Sequence, residues 1–193
     1  MSDSYHHGNL RQALIDAGIK IINESGETSL SLRKAASLCN VSHAAPYAHF
    51  KDKDELIKAI KETVTGNFMV ELQDAVDNSR SAEEAIVNMG KRYVSFFVRN
   101  PDYFKFLFGS QNIIAHLRAD KEYEDDYPPF KLLKDTYGRY LSEKKLKKSE
   151  DEKEIEIIHL WASVHGLASI ACMSGVTASF DWKDKIIADI LIR

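Results

Sequence analysis

Between residues 31 and 53 the chain gathers side chains that can hold a polyanion. Arg33, Lys34, Lys51 and Lys53 supply positive charge, and Asp52 is the one acid among them. Ser31, Ser42, His43, Tyr47 and His49 supply hydrogen-bonding groups in the same stretch. Phosphate oxygens are bound by this mixture of cations, hydroxyls and imidazoles. The chain as a whole carries 26 Lys and Arg against 29 Asp and Glu, a formal net charge of -3. Contact with a nucleic acid must therefore come from a local face and not from overall basicity.

Other chemistries find little support. His116, His159 and His165 are present, but no His-Glu-x-x-His, glycine-rich phosphate loop or nucleophile elbow accompanies them. No catalytic residue, metal site or cofactor is expected. His6 and His7, adjacent at a terminus, make weak metal ligands, and the acidic run from Glu122 to Asp126 reads as a solvated loop. Cys39 and Cys172 have neither the number nor the spacing of a disulfide framework or zinc site, which points to a reducing, cytoplasmic setting. The first residues lack the basic-then-apolar order of a signal peptide. Residues 157–180 hold no Asp, Glu, Lys or Arg, yet two histidines and several serines interrupt them. That pattern predicts a buried or interfacial helix of a soluble protein with no membrane partner.

Helical periodicity positions all of these groups, and no alternating run suggests a sheet. Leu10, Ala13, Leu14, Ala17 and Ile21 share one face of a first helix that stops near Gly26. Ser31 caps a short second helix, and a third runs from Ser42 to about Phe50. A long fourth helix begins near Asp52, with Leu56, Ile60, Val64, Phe68, Leu72 and Val76 recurring every four residues; at about 25 residues it would span about 40 Å. Ser81 to Glu84 and Ser149 to Glu152 read as capping boxes. They open a helix ending near Pro101 and the uncharged helix through Trp161. A short aromatic helix spans residues 102–109, another helix runs from Phe130 to about Lys145, and Asp181 caps a last one ending at Arg193. The expected architecture is all-α: an N-terminal three-helix helix-turn-helix domain (1–54) joined by the fourth helix to a C-terminal helical bundle (55–193) that dimerises.

A helix-turn-helix explains the residue choices of 31–50. Steeply crossing helices need small side chains at the crossing, which Ala35 and Ala36 provide. The turn needs a residue that tolerates positive φ, a role for Asn40, and Val41 points inward to pin it. Ser42 caps the next helix, whose first N–H groups face a phosphate or groove edge, and that helix would enter the major groove. Pro46 falls at its fourth position and removes the first intrahelical bond. Ala44 and Ala45 leave little reach beyond thymine methyls.

The stretch resembles the DNA-binding domain of the TetR/AcrR family of bacterial regulators. The likeness rests on Asn40-Val41-Ser42, Tyr47-Ala48-His49-Phe50 and Lys51-Asp52-Lys53. A subgroup opening with Tyr-His-His-Gly-Asn-Leu-Arg, here residues 5–11, also carries a Trp-x-x-x-His-Gly signature, matched by Trp161, His165 and Gly166. Asn40 replaces the common glycine, and Pro46 the common leucine. Carried over residue by residue, the resemblance implies that Arg33 contacts a base or phosphate and that His43, Ala44 and Ala45 face the groove. It implies phosphate contacts for Ser31, Tyr47, His49 and Lys53. It further implies a homodimer through the last two long helices, double-stranded DNA as partner, and a small-molecule effector whose binding tilts the fourth helix.

The rest of the chain is rich in aromatic residues, which at helical spacing form core or wall a pocket between helices. Phe68, Phe97, Phe104, Tyr137, Trp161 and His165 are the candidates for a ligand site. Trp161 and His165 lie one turn apart, and a buried structural pair is a better explanation of them than a ligand role. Ala162 and Gly166 permit close approach of a partner helix. A helical protein-binding adaptor without DNA binding is the competing reading.

Overall fold

The structure is a computed structural model that describes residues 10–109, 113–118, 121, 123–177 and 179. Among these residues seven α-helices follow in order: α1 (Leu10–Ser25), α2 (Leu32–Leu38), α3 (Lys53–Asp77), α4 (Ala82–Arg99), α5 (Pro101–Phe108), α6 (Pro128–Glu143) and α7 (Glu150–Ala171). Two short 3₁₀ helices, Glu27–Ser29 and Ala45–Ala48, flank α2. No strand occurs among the described residues. The fold is all-helical, with an N-terminal helix-turn-helix and a helical C-terminal domain. The expected last helix, 181–193, lies outside the described residues, as do residues 5–9 of the N-terminal motif.

The chain divides into two compact units, 1–64 and 65–193. The division falls inside α3, further along than the 54/55 junction expected from sequence. Leu56, Ile60 and Val64 in the first turns of α3 are fully buried with α1 and its neighbours. Those turns belong by packing to the first unit.

In that unit α1 buries Ala13, Leu14, Ala17 and Ile21 of the expected stripe together with Ile15 and Ile22, which the stripe left out, while Leu10 at its start is only half-buried. Each buried Leu or Ile side chain contributes about 1.5–3 kcal/mol of transfer free energy. The helix ends where Gly26 takes a φ of 76°, a left-handed value suited to glycine. Gly18 has a different role: a Cβ there would stand 2.4 Å from Ile60 Cδ1. Its missing side chain lets α1 and α3 approach. Ser31 caps α2 by accepting from the Lys34 N–H at 3.1 Å. Ala35 and Ala36 are completely buried. Asn40 adopts φ 53°, and the Val41 N–H closes the helix end on the Ala36 carbonyl at 3.1 Å.

The third helix differs from its expectation. Residues 42–44 form a turn, and only Ala45–Ala48 are helical, with 3₁₀ geometry. Pro46 has no N–H for the α-type bond to Ser42, and the backbone adopts three-residue spacing instead. Ala45 donates to the Ser42 carbonyl at 3.0 Å, Tyr47 to Ala44 at 3.2 Å, and His49 to Pro46 at 2.9 Å. Ala44 occupies the capping position and makes no side-chain cap, so Ser42 does not cap this helix as expected. Pro46 itself is buried, which fixes the short segment by packing.

In the second unit α4 packs against α5, α6 and α7. The Ser149 capping box is complete: Glu152 N–H donates to Ser149 Oγ at 3.3 Å, and Ser149 N–H donates to Glu152 Oε2 at 2.7 Å. The Ser81 box is half formed. Ser81 accepts from Glu84 N–H, while the Glu84 carboxylate takes the Arg80 N–H one residue further out. α6 begins two residues earlier than expected because prolines suit the first turn, where no N–H is needed. α7, charged in its first turns and free of charged residues from Ile157 onward, buries only Ile157 and Ala168. Ile155, Ile158, Ile170 and Met173 around and beyond its ends remain 40–52% exposed. No helix of the described residues is long and apolar enough to cross a membrane.

The acidic segment expected as a solvated loop is not one throughout. Asp126 is 6% exposed and forms a buried ion pair with Lys134. Its Oδ1 also accepts from the His116 backbone N–H at 2.7 Å and lies 3.0 Å from His116 Nδ1. Burial alone would raise the Asp126 carboxyl, but these hydrogen bonds outweigh it and hold the pKa below the usual range. Lys134 Nζ further donates to the His116 carbonyl at 3.1 Å, which binds the preceding segment to α6.

Candidate nucleic-acid interface and ligand cavity

The first unit turns its polar residues outward around an alanine crossing. Ser31, Arg33, Ser42, His43, Ala44, Tyr47 and His49 are exposed, and Ala45 and Lys53 are half-buried. Tyr47 is 55% exposed, a large surface for an aromatic ring with no packing role. Among the described residues Arg33, Lys34 and Lys51 make no ion pair, so their charges face solvent. His43 is held rather than free: its Nε2 lies 3.3 Å from Ser37 Oγ, which donates to the Arg33 carbonyl one turn back. The last turn of α2 thereby orients the His43 side chain. Lys53 Nζ donates to the Glu27 carbonyl at 3.4 Å. Asp52 accepts from Glu55 N–H at 2.9 Å, which starts α3 directly after the 3₁₀ helix.

Arg11 belongs to this unit in a way the sequence reading missed. Its guanidinium lies 5.3 Å from the centroid of the Phe50 ring, a cation–π contact. The only sequence signal was its place in the Asn-Leu-Arg motif before α1.

The second unit holds a cavity of about 410 Å³, partly open to solvent and bordered by α4, α6 and α7 with Leu72 from α3. Tyr137 and Trp161 line it. The other four residues proposed from sequence stand in an adjoining aromatic cluster. Phe68 and Phe97 lie 4.9 Å apart, Phe97 and Phe104 5.3 Å, and Phe104 and His165 4.9 Å, centroid to centroid. Tyr93 touches both regions: it lines the cavity, its ring meets Phe68 at 5.1 Å, and its hydroxyl lies 2.9 Å from His165 Nδ1. Burial depresses the His165 pKa, which favours the neutral ring.

Sequence reasoning missed Tyr93, Glu83 and Glu156 on the cavity wall. Glu156 Oε2 accepts from Tyr137 Oη at 2.5 Å, and its other oxygen pairs with Lys148. Hydrogen bonds from Lys148 and Tyr137 keep its carboxyl ionised, below the usual range, despite partial burial. The Tyr137 phenol is raised, by burial first and then by Glu156. Burial pushes Tyr127 up to about 12, with the Thr65 hydroxyl offsetting it only in part. No group among the described residues completes a hydrogen bond of normal geometry to Tyr127 Oη. No cluster of three or more potential metal ligands occurs among the described residues.

Residues 14–60 match the family model described as bacterial regulatory proteins, tetR family. This segment is therefore similar to the helix-turn-helix of that family. The HTH-type nicotine-responsive transcriptional repressor HdnoR of Paenarthrobacter nicotinovorans is 39% identical over 69 residues, which cover 36% of each chain. An HTH-type transcriptional regulator of Haemophilus influenzae is 29% identical over 93 residues, 48% of this chain and 50% of its own. The chain thus spans half or less of the length of these curated relatives, which are transcriptional regulators. Over longer spans the likeness is one of fold. A Rhodococcus sp. RHA1 protein of unknown function superposes with a TM-score of 0.73 at 23% identity, covering 91% of both chains. FadR of Bacillus subtilis, in complex with stearoyl-CoA, gives 0.62 at 14% identity, covering 86% of this chain and all of its own.

Proposed function

We propose that the protein is a ligand-responsive transcriptional regulator, a cytoplasmic repressor that binds a palindromic operator as a homodimer and is released by a small molecule. The observation that carries this reading is the exposed set Arg33, His43, Tyr47 and His49 around the buried Ala35–Ala36 crossing, inside the segment that matches the tetR family. In this reading Ser31, Tyr47, His49 and Lys53 grip phosphates, and Arg33 contacts base or phosphate. Ser42, His43, Ala44 and Ala45 meet the groove. Phosphate contacts fix position and strength, whereas base contacts fix sequence.

The domains would be 1–54 for DNA and 55–193 for sensing and dimerisation. Dimerisation is supported by the apolar side chains that α7 leaves exposed, acting with the segment that follows it. The cavity of the second unit supplies the sensing half, with Tyr137 and Trp161 in its wall and Phe68, Phe97, Phe104 and His165 in support behind it. A repressor named for its response to nicotine among the relatives, and a structural neighbour holding stearoyl-CoA, agree with small-molecule control. Because α3 contributes residues to both units, a ligand that shifts it couples effector and operator binding reciprocally.

The test is an unbiased DNA-binding selection with the purified protein, followed by gel shifts over a salt series. Enrichment of a palindrome bound with a steep salt dependence is the expected result. Absence of any preferred sequence would favour the helical adaptor instead.

A further inference from the structure

We propose that the cavity takes a compact apolar cation, an amine or ammonium compound, in preference to an acid or a neutral isostere. The inference rests on the reading of this cavity as the effector site and names the ligand's chemical class. Its walls are aromatic, with Tyr93, Phe130, Tyr137, Tyr140 and Trp161 contributing rings. The formal charges on the wall are Glu83 and Glu156, and no lysine or arginine is among the described lining residues. Aromatic faces carry negative potential and attract a desolvated cation, most strongly on tryptophan and tyrosine.

Each carboxylate has a lysine partner, but neither lysine belongs to the cavity wall. The partner of Glu83 is Lys144, but that pair is 58% and 46% exposed, and such surface pairs hold little free energy. Glu156 is held ionised by Tyr137 and Lys148, and Lys148 is not part of the cavity wall. An anion entering this space would shed its water against two carboxylates and ring faces, with the exposed His159 as the one imidazole on the wall and no lysine or arginine there, at a severe cost. A neutral body of the same shape would gain the burial and none of the charge attraction. The volume, about 410 Å³, falls in the range of sites for small organic ligands.

The experiment is calorimetric titration of the full chain, without DNA, with three probes of matched shape. These are benzyltrimethylammonium, its neutral carbon isostere neopentylbenzene in dilute cosolvent, and phenylacetate. The expected order is cation first, at least tenfold tighter than the neutral probe, with no measurable phenylacetate binding. Glu83→Gln, at an exposed site whose loss leaves folding intact, should weaken the cation severalfold and leave the neutral probe unchanged. Glu156→Gln, which retains an acceptor for Tyr137, should do so more strongly. Equal or tighter binding of the neutral or anionic probe overturns the class assignment while leaving the effector site standing. Binding of no probe, or a cation affinity indifferent to both substitutions, overturns it as well. DNA selection is measured separately, so a failure here is distinguishable from a failure of the regulator reading.

Discussion

The two units place their working surfaces in opposite ways. The first buries most of its apolar residues, with Leu38 left 44% exposed, and carries its candidate chemistry on the outside, on Arg33, His43, Tyr47 and His49. The second hides its candidate chemistry within, in a cavity bordered by Tyr93, Tyr137, Glu156 and Trp161. An outward surface tolerates change without loss of fold, because exposed side chains hold little packing energy. An inward one shares its residues with the core, so changes there move stability and function together. Substitutions in the two units should therefore separate by which measurement they disturb.

The largest effect is expected in the second unit, at Asp126. Replacing it by Ala leaves Lys134 buried with no counter-charge, which costs about 3–5 kcal/mol. Urea denaturation should show the midpoint falling with little change in slope. The double variant Asp126→Asn with Lys134→Met removes both charges and should recover most of the loss. If the single variant were as stable as the parent, the segment before α6 would not be held by this pair.

A smaller loss is expected in the first unit, from overpacking. Gly18→Val places a Cβ against Ile60 and should cost about 1–3 kcal/mol, read as a lower thermal midpoint. Ile60→Ala in the same chain makes room for it, so the two changes should be less than additive. Strict additivity would show that α1 and α3 do not approach at Gly18.

His165 yields a third effect, smaller again and dependent on pH. Burial lowers its folded pKa, so below the ordinary histidine value the unfolded chain binds a proton that the folded one refuses. Stability should fall as pH drops through the unfolded value near 6.5 and level off below the folded pKa. In His165→Gln this part of the acid loss should disappear. An unchanged pH profile in that variant would remove His165 as its source.

The same division explains what could be read from sequence. Caps, the Asn40 turn and the alanine crossing follow local rules, because each depends on residues a few positions apart. Pro46 was visible in the sequence, yet its effect was read as one lost bond when it converted a short helix to 3₁₀ geometry. Asp126 was misread for a different reason: its partners, Lys134 and His116, lie eight and ten positions away, and no local pattern joins them. The cavity was harder still. Helical spacing identifies apolar faces but not which face borders a void, so Tyr137 and Trp161 could not be told apart from Phe68 and Phe97. Glu156 carried no signal at all, since a glutamate early in a helix usually serves its N-terminus.

The smallest effect on stability is expected where the effect on DNA is most specific. Arg33→Ala, Tyr47→Phe and His43→Ala should each leave the denaturation midpoint within about 0.5 kcal/mol of the parent, because all three residues are exposed. Their binding phenotypes should differ from one another. Tyr47→Phe removes a hydroxyl offered to phosphate and should weaken every sequence alike. Arg33→Ala removes a charge and, where that charge meets phosphate, lowers the slope of log affinity against log salt by about one. His43→Ala should instead reorder the preferred operators, since Ser37 holds that imidazole in a defined direction from the end of α2. A selection profile identical to the parent's would remove His43 from the groove and leave base recognition to Arg33 and the short reach of Ala44 and Ala45. Ser37→Ala then separates position from presence: it leaves the imidazole in place but unanchored, and should blur the operator ranking without the wholesale change seen when His43 is removed.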